Sequence, residues 1–282
     1  MEKSLIQKNN KLAILVLTTE AEIYSDLTKR TIEYYLNNCE SNYTFDLIIS
    51  VDHFTDKVSR IYKWVKYLKT KKYVNNVKLI STNIPKDKNI YYFGYLPEDC
   101  SLEKFCYGSS HGVNYHFFKT FDIILEFEYE NVLLLEHDTK PMESDWYDVC
   151  FNFVNETKKF VMAGSKYKGI LKKKNRKKYW GGHLNGVAIY KNNKNLKAIL
   201  KQTSLFLQTE LKNDKDNLYH GFMNYDVAIF LFLKSINKTD LLINTNFITN
   251  VSDPQNEDVT VDDVMKKYPH TKILHKKHLY DE

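Results

Sequence analysis

Three observations predict an α/β fold built on a mostly parallel sheet with helices on its faces. Apolar runs of strand length at 12–17 (LAILVL), Phe45–Val51 (FDLIISV) and 132–135 (VLLL) suit strands covered on both faces. Stretches with helical apolar spacing separate them. Carboxylates stand directly behind two of the runs, Asp52 after the second and Glu136 and Asp138 after the third. In a parallel sheet, ligands bind beyond the carboxyl ends of the strands.

The elements follow in order. After the first strand and Thr18-Thr19, the residues Tyr24, Leu27, Thr28, Thr31, Ile32 and Tyr35 share one helical stripe. The second strand leads to a helix carrying Ile61, Trp64, Val65 and Leu68, and 77–80 (VKLI) is a third strand. Residues 81–114 are loop-rich, with Pro85, Pro97, Gly94, Gly108 and Gly112, and loops of such length are more often functional than decorative. Phe117, Phe121, Ile124 and Leu125 then mark a helix that feeds the strand at 132–135. This βαβα order predicts a Rossmann-like sheet. In the second half, 160–163 and 186–190 read as strands, 196–211 and 225–233 as helices, and the end as an amphipathic stretch followed by a short strand before His275. Without a repeat or low-complexity linker, the expectation is a single domain spanning 1–282.

Composition narrows the function classes. Hydrophobic residues make up 43% and aromatics 14%, which excludes a disordered chain. The +6 charge, 41 basic against 35 acidic residues, suits a small anionic ligand without requiring nucleic acid. The basic run at 172–178 (KKKNRKK) lacks the interleaved aromatics of an RNA-binding surface and reads as an exposed loop. The four cysteines show no CxxC pair or zinc spacing and read as free thiols of a reducing compartment. Residues 1–10 are polar, and no apolar run approaches the roughly 20 residues needed to cross a bilayer. The expectation is a cytoplasmic protein (host cytoplasm, if the source is viral), with contact at a membrane surface left open.

Four segments carry candidate chemistry. In NVLLLEHDTKP, residues 131–141, a buried strand delivers Glu136 and Asp138 to its exposed end, alternate residues pointing the same way. Two such carboxylates can hold Mg²⁺ or Mn²⁺, which also take diphosphate oxygens; an acidic strand end that merely meets water is the plain alternative. In WGGHLNGVAIY, residues 180–190, glycines and the polar His183 and Asn185 beside Gly186 suit a sugar lining, or simply a glycine turn before a strand. In HGFMNYDVAIF, residues 220–230, Asp226 after Tyr225 sits at a helix start, where the dipole favours a rigidly held carboxylate; a plain N-cap is the alternative. Last come His275 and His278 around two lysines.

Together these motifs resemble the GT-A glycosyltransferases. Glu136-His137-Asp138 is similar to their DxD motif, with Glu in place of the first Asp, and 183–190 is similar to their HxNGxAxY segment. The resemblance covers about residues 11–278 and implies a GT-A fold, with a nucleotide-binding half at about 11–140 and an acceptor half at about 141–282. It implies Asp138, Glu136 and a late histidine, His275, as ligands of Mn²⁺ or Mg²⁺. It implies a nucleotide-sugar donor, a uridine diphosphate sugar ahead of a guanosine one, and a glycan, glycoprotein or glycolipid acceptor. Thr18, Thr19, Asp52, Lys119 and His137 fall where the family contacts the donor, and His183, Asn185, Gly186 and Tyr225 where it contacts sugar or acceptor. Asp226 corresponds to the base of inverting members. Small members of this kind occur in microbes and large DNA viruses. Two other readings remain: a sugar nucleotidyltransferase, against which stands the absence of glycine in LAILVLTTEAEIY, and a binding module without turnover, which the Glu for Asp exchange keeps open.

Overall fold

The computed structural model describes residues 11–54, 59–90, 104–168, 182–213, 223–251 and 259–276. The basic run at 172–178, His220, His278 and Cys100 lie outside them. Cys39, Cys106 and Cys150 are free thiols.

The first half follows the apolar runs closely. Strand β1 (Leu12–Thr18) and β2 (Phe45–Val51) are buried along almost their whole length, as expected of strands covered on both faces. Between them the expected single helix is two, α1 (Glu20–Tyr24) and α2 (Leu27–Asn37). The break falls at Asp26, whose φ of 61° places it in the left-handed region, a conformation Asp tolerates better than most residues. Thr19 and Glu22 form a reciprocal capping box at the start of α1. Helix α3 (Ser59–Leu68) buries Ile61, Trp64, Val65 and Leu68, the stripe read from the sequence. Strand β3 (Val74–Ser81), helix α4 (His111–Ile124) and strand β4 (Asn131–Leu135) complete this half.

The second half holds β5 (Thr139–Pro141), α5 (Trp146–Glu156), β6 (Met162–Lys166), β7 (Leu184–Lys191), α6 (Lys194–Asn213), α7 (Tyr225–Ser235), β8 (Leu242–Asn244), β9 (Ile248–Asn250), α8 (Val261–Lys267) and β10 (Ile273–His275). Helix α5, to which the sequence reading assigned no element, buries Trp146, Tyr147, Cys150, Phe151 and Val154 under the sheet.

The main sheet has seven strands in the order β3-β2-β1-β4-β7-β6-β8. The first four are parallel; β7 runs antiparallel to β4 and β6, and β8 is parallel to β6. The expected mixed, mostly parallel sheet flanked by helices is therefore present. A three-stranded sheet, β5-β10-β9, stands beside it. Two features of this topology build the site. Because β7 opposes β4, with Leu133 opposite Ile189, the beginning of β7 lies at the carboxyl end of β4. Because β10 pairs with β5, with His275 opposite Thr139, the end of the last strand among the described residues returns to the residues just behind β4. No helix among the described residues is long and apolar enough to cross a membrane.

Candidate active site

Strand β4 ends at Leu135, and the next three residues turn before β5 begins. Both the amide and the hydroxyl of Thr139 donate to the Glu136 carbonyl, at 3.2 and 2.6 Å, which closes this turn. The Thr31 hydroxyl of α2 lies 3.0 Å from the His137 carbonyl. The Lys276 amide donates to the Asp138 carbonyl at 3.1 Å, locking the turn to the end of β10. A backbone held from three sides can present its carboxylates at fixed positions.

Glu136, Asp138 and His275 each offer one ligand atom, and these atoms all lie within 4.8 Å of one another. His275 Nε2 is 2.9 Å from Asp138 Oδ1 and 3.4 Å from Glu136 Oε2. On its other side His275 Nδ1 lies 2.8 Å from Asn185 Oδ1, which also accepts from the Val187 amide at 2.9 Å. Because Asn185 Oδ1 is an acceptor, Nδ1 keeps its proton in either charge state, and Nε2, whose own proton a cation would displace, faces the carboxylates, the arrangement that metal-ligating histidines show. Two carboxylates and an imidazole with its outer nitrogen so held fit a hard or borderline divalent cation. Burial works against a charge on His275, but Asp138 and Glu136 outweigh it and hold its pKa at about 9. Burial pushes the Glu136 carboxyl up, the His275 charge pulls it down, and Asp138 and Asp226 push it up again. A site that crowds carboxylates in this way gains from a cation.

Beside these groups opens a cleft of about 320 Å³. Thr18, Thr19, Glu136, His137, Asn185, Tyr225 and Asp226, all singled out from the sequence, line it. Asp226, in the first turn of α7, accepts from the Val227 amide at 2.8 Å and faces His183 Nε2 at 3.6 Å. Tyr225 directs its hydroxyl at Glu136 Oε1, 3.0 Å away. Gly186 packs against both: a methyl there would overlap the Tyr225 hydroxyl and stand 2.9 Å from Glu136 Oε1.

Two residues expected at the donor, Asp52 and Lys119, do not line this cleft. Asp52 is 6% exposed and accepts from the Glu20 and His53 amides at 2.9 and 2.7 Å and from Asn89 Nδ2 at 2.6 Å. It anchors α1 to the end of β2 and is not among the residues lining the cleft. Lys119 is exposed and lines a separate depression between α4 and α6, with Tyr107, Lys197 and Lys201; helical spacing put it on α4 but did not say which groove that turn faces.

Sequence reasoning missed Leu17, Glu22, Val113, His116 and Asn224, which also line the cleft. Glu22 was legible through its capping box with Thr19; one oxygen closes the box and the other lies 3.4 Å from His137 Nδ1. His116 had no signal. It is buried on α4 with Nε2 3.0 Å from Ser50 Oγ, and burial depresses its pKa to about 4, so it is neutral at physiological pH.

No protein-family model matches the chain, and no curated protein matches it in sequence. Solved structures do. Mouse xyloside xylosyltransferase 1 superposes with a TM-score of 0.56 at 14% identity, covering 95% of this chain and 98% of that one. The bifunctional glycosyltransferase WbbM gives 0.53 at 10% identity over 95% of this chain. GlyE, a glycosyltransferase of Streptococcus pneumoniae, gives 0.50 at 12% over 94%. The fold is that of these glycosyltransferases. The chain matches nearly the whole of the mouse protein but only 46% of WbbM and 54% of GlyE.

Proposed function

We propose that this protein is a glycosyltransferase that moves a sugar from a nucleoside-diphosphate donor to a hydroxyl acceptor with a divalent cation, Mn²⁺ or Mg²⁺. The observation that carries the reading is the convergence of Glu136, Asp138 and His275 from two separate parts of the chain at the carboxyl edge of the sheet, beside a cleft. The fold shared with glycosyltransferases supports it.

Glu136, Asp138 and His275 would hold the cation, which when bound neutralises charge on the departing diphosphate. Asn185 orients His275, and the turn contacts from Thr139, Thr31 and Lys276 hold the two carboxylates in place. Thr18 and Thr19, at the end of β1, lie on the donor side, the half formed by about 11–140. Asp226 and His183 come from the acceptor half, about 141–282, which completes a single domain. Asp226 would take the acceptor hydroxyl's proton as that oxygen attacks the anomeric carbon. Direct displacement then inverts the anomeric centre. The donor base is uridine ahead of guanosine, and the acceptor is a glycan, glycoprotein or glycolipid.

The test is thermal stabilisation by a panel of nucleoside diphosphates and their sugars, with Mn²⁺ and again with EDTA. Ligand at about 100 times its Kd stabilises by roughly 2.7 kcal/mol. A metal-dependent shift for one base, absent in Asp138→Ala, supports the reading and names the donor class. No shift with any nucleotide sinks it. The anomeric configuration of the product then decides the role of Asp226: retention would remove it as base and leave it to bind a donor hydroxyl.

A further inference from the structure

Glu136 carries one more methylene than the aspartate its position resembles. The longer side chain adds a rotor, and a carboxylate free to swing can ligate through either oxygen or both. The surroundings remove that freedom. Oε1 accepts a hydrogen bond from the Tyr225 hydroxyl at 3.0 Å, while Oε2 faces His275 Nε2 at 3.4 Å. Tyr225 is itself immobilised: it is 4% exposed, and its ring stacks on Phe117 with centroids 3.8 Å apart and planes 5° from parallel. The hydroxyl reaches Glu136 only because residue 186 has no side chain, since a methyl there would overlap it. Gly186 is fixed in turn by the Tyr190 hydroxyl, which donates to its carbonyl at 3.0 Å.

We infer that Tyr225 is a positioning residue that commits Glu136 Oε1 and leaves Oε2 as a single-oxygen ligand, setting both the affinity and the selectivity of the cation site. The inference rests on the metal reading above. It assigns Tyr225 to the cation's carboxylate and not to the sugar. A carboxylate limited to one oxygen suits the six-coordinate Mg²⁺ and Mn²⁺, whereas Ca²⁺ takes six to eight oxygens and makes use of bidentate carboxylates. The hydrogen bond thus works against Ca²⁺.

The experiment is a Mn²⁺ titration of the full chain without nucleotide, followed by the EPR signal of the free ion, with Ca²⁺ as competitor. The proteins are the wild type, Tyr225→Phe, Glu136→Asp, the double variant and Asp138→Ala. Tyr225→Phe keeps the ring stack and removes only the hydroxyl. Its Mn²⁺ affinity should fall about tenfold, the usual effect of losing a group that orients a ligand, and Ca²⁺ should compete better than in the wild type. On the Glu136→Asp background the same change should add nothing, because the shorter carboxylate does not reach the phenol. Wild-type affinity in Tyr225→Phe, with binding lost in Asp138→Ala, would overturn the inference and leave the metal site standing. An equal loss on both backgrounds would overturn it too, by showing that Tyr225 acts through packing. A wild type that takes up no Mn²⁺ would remove the metal reading and this inference together.

Discussion

Asp52 and Glu136 are two carboxylates in equivalent places, each the first residue after a buried strand of the same parallel sheet. Their surroundings set them apart. Both oxygens of Asp52 are engaged, by two backbone amides and the Asn89 side chain, and the residue holds α1 against the sheet. Glu136 has one oxygen engaged by Tyr225, and the other faces His275 in a group that also includes Asp138. A strand-end carboxylate is thus a ligand candidate according to how many of its lone pairs the fold leaves over, not according to where the strand stops.

Substitutions can break this contrast. The largest effect is expected at the cation group. Asp138→Ala should lower kcat/KM about 10³-fold, equivalent to the several kcal/mol of charge stabilisation a bound metal contributes, while the chain still melts cooperatively. The next largest belongs to Asp52→Ala, measured as stability. It leaves two amides and Asn89 Nδ2 without their acceptor, which costs about 3 kcal/mol, or roughly 6–12 °C in melting midpoint. Mn²⁺ affinity, read by EPR, should stay at the wild-type value. A lost metal affinity in Asp52→Ala would erase the distinction between the two carboxylates.

How far each was legible follows from the same physics. Strands buried on both faces read as unbroken apolar runs, so β1, β2 and β4 stand out in the sequence, and so do the carboxylates behind them. What the carboxylates touch was not legible. His275 pairs with Thr139 across the whole second half of the chain, and only the family resemblance placed it near Asp138. The distant partners of Asp52 are the first residue of α1 and Asn89, neither close to it in sequence. The short strands β8 and β9 have three residues each, too few for a periodicity to register. His116 escaped because α4 also buries His111, Asn114 and Thr120 beside its phenylalanines, so that no single polar residue of its sequence stood out.

A second contrast sets His116 against His275. Neighbouring carboxylates raise the His275 pKa to about 9, and burial beside the uncharged Ser50 lowers that of His116 to about 4. A histidine of depressed pKa binds fewer protons folded than unfolded between pH 4 and its free value of about 6.5, so stability rises with pH across that window. Nothing is lost above it; below pH 4 the loss is complete. At pH 5 the penalty from His116 is about 2 kcal/mol, by the two-pKa linkage relation. Unfolding free energies from urea melts at pH 7 and pH 5 should therefore differ for the wild type by that amount more than for His116→Gln, which has no proton to take up. An identical acid sensitivity in the variant would mean that His116 is solvated and protonates freely, and that the wall of the cleft it lines is charged at pH 5.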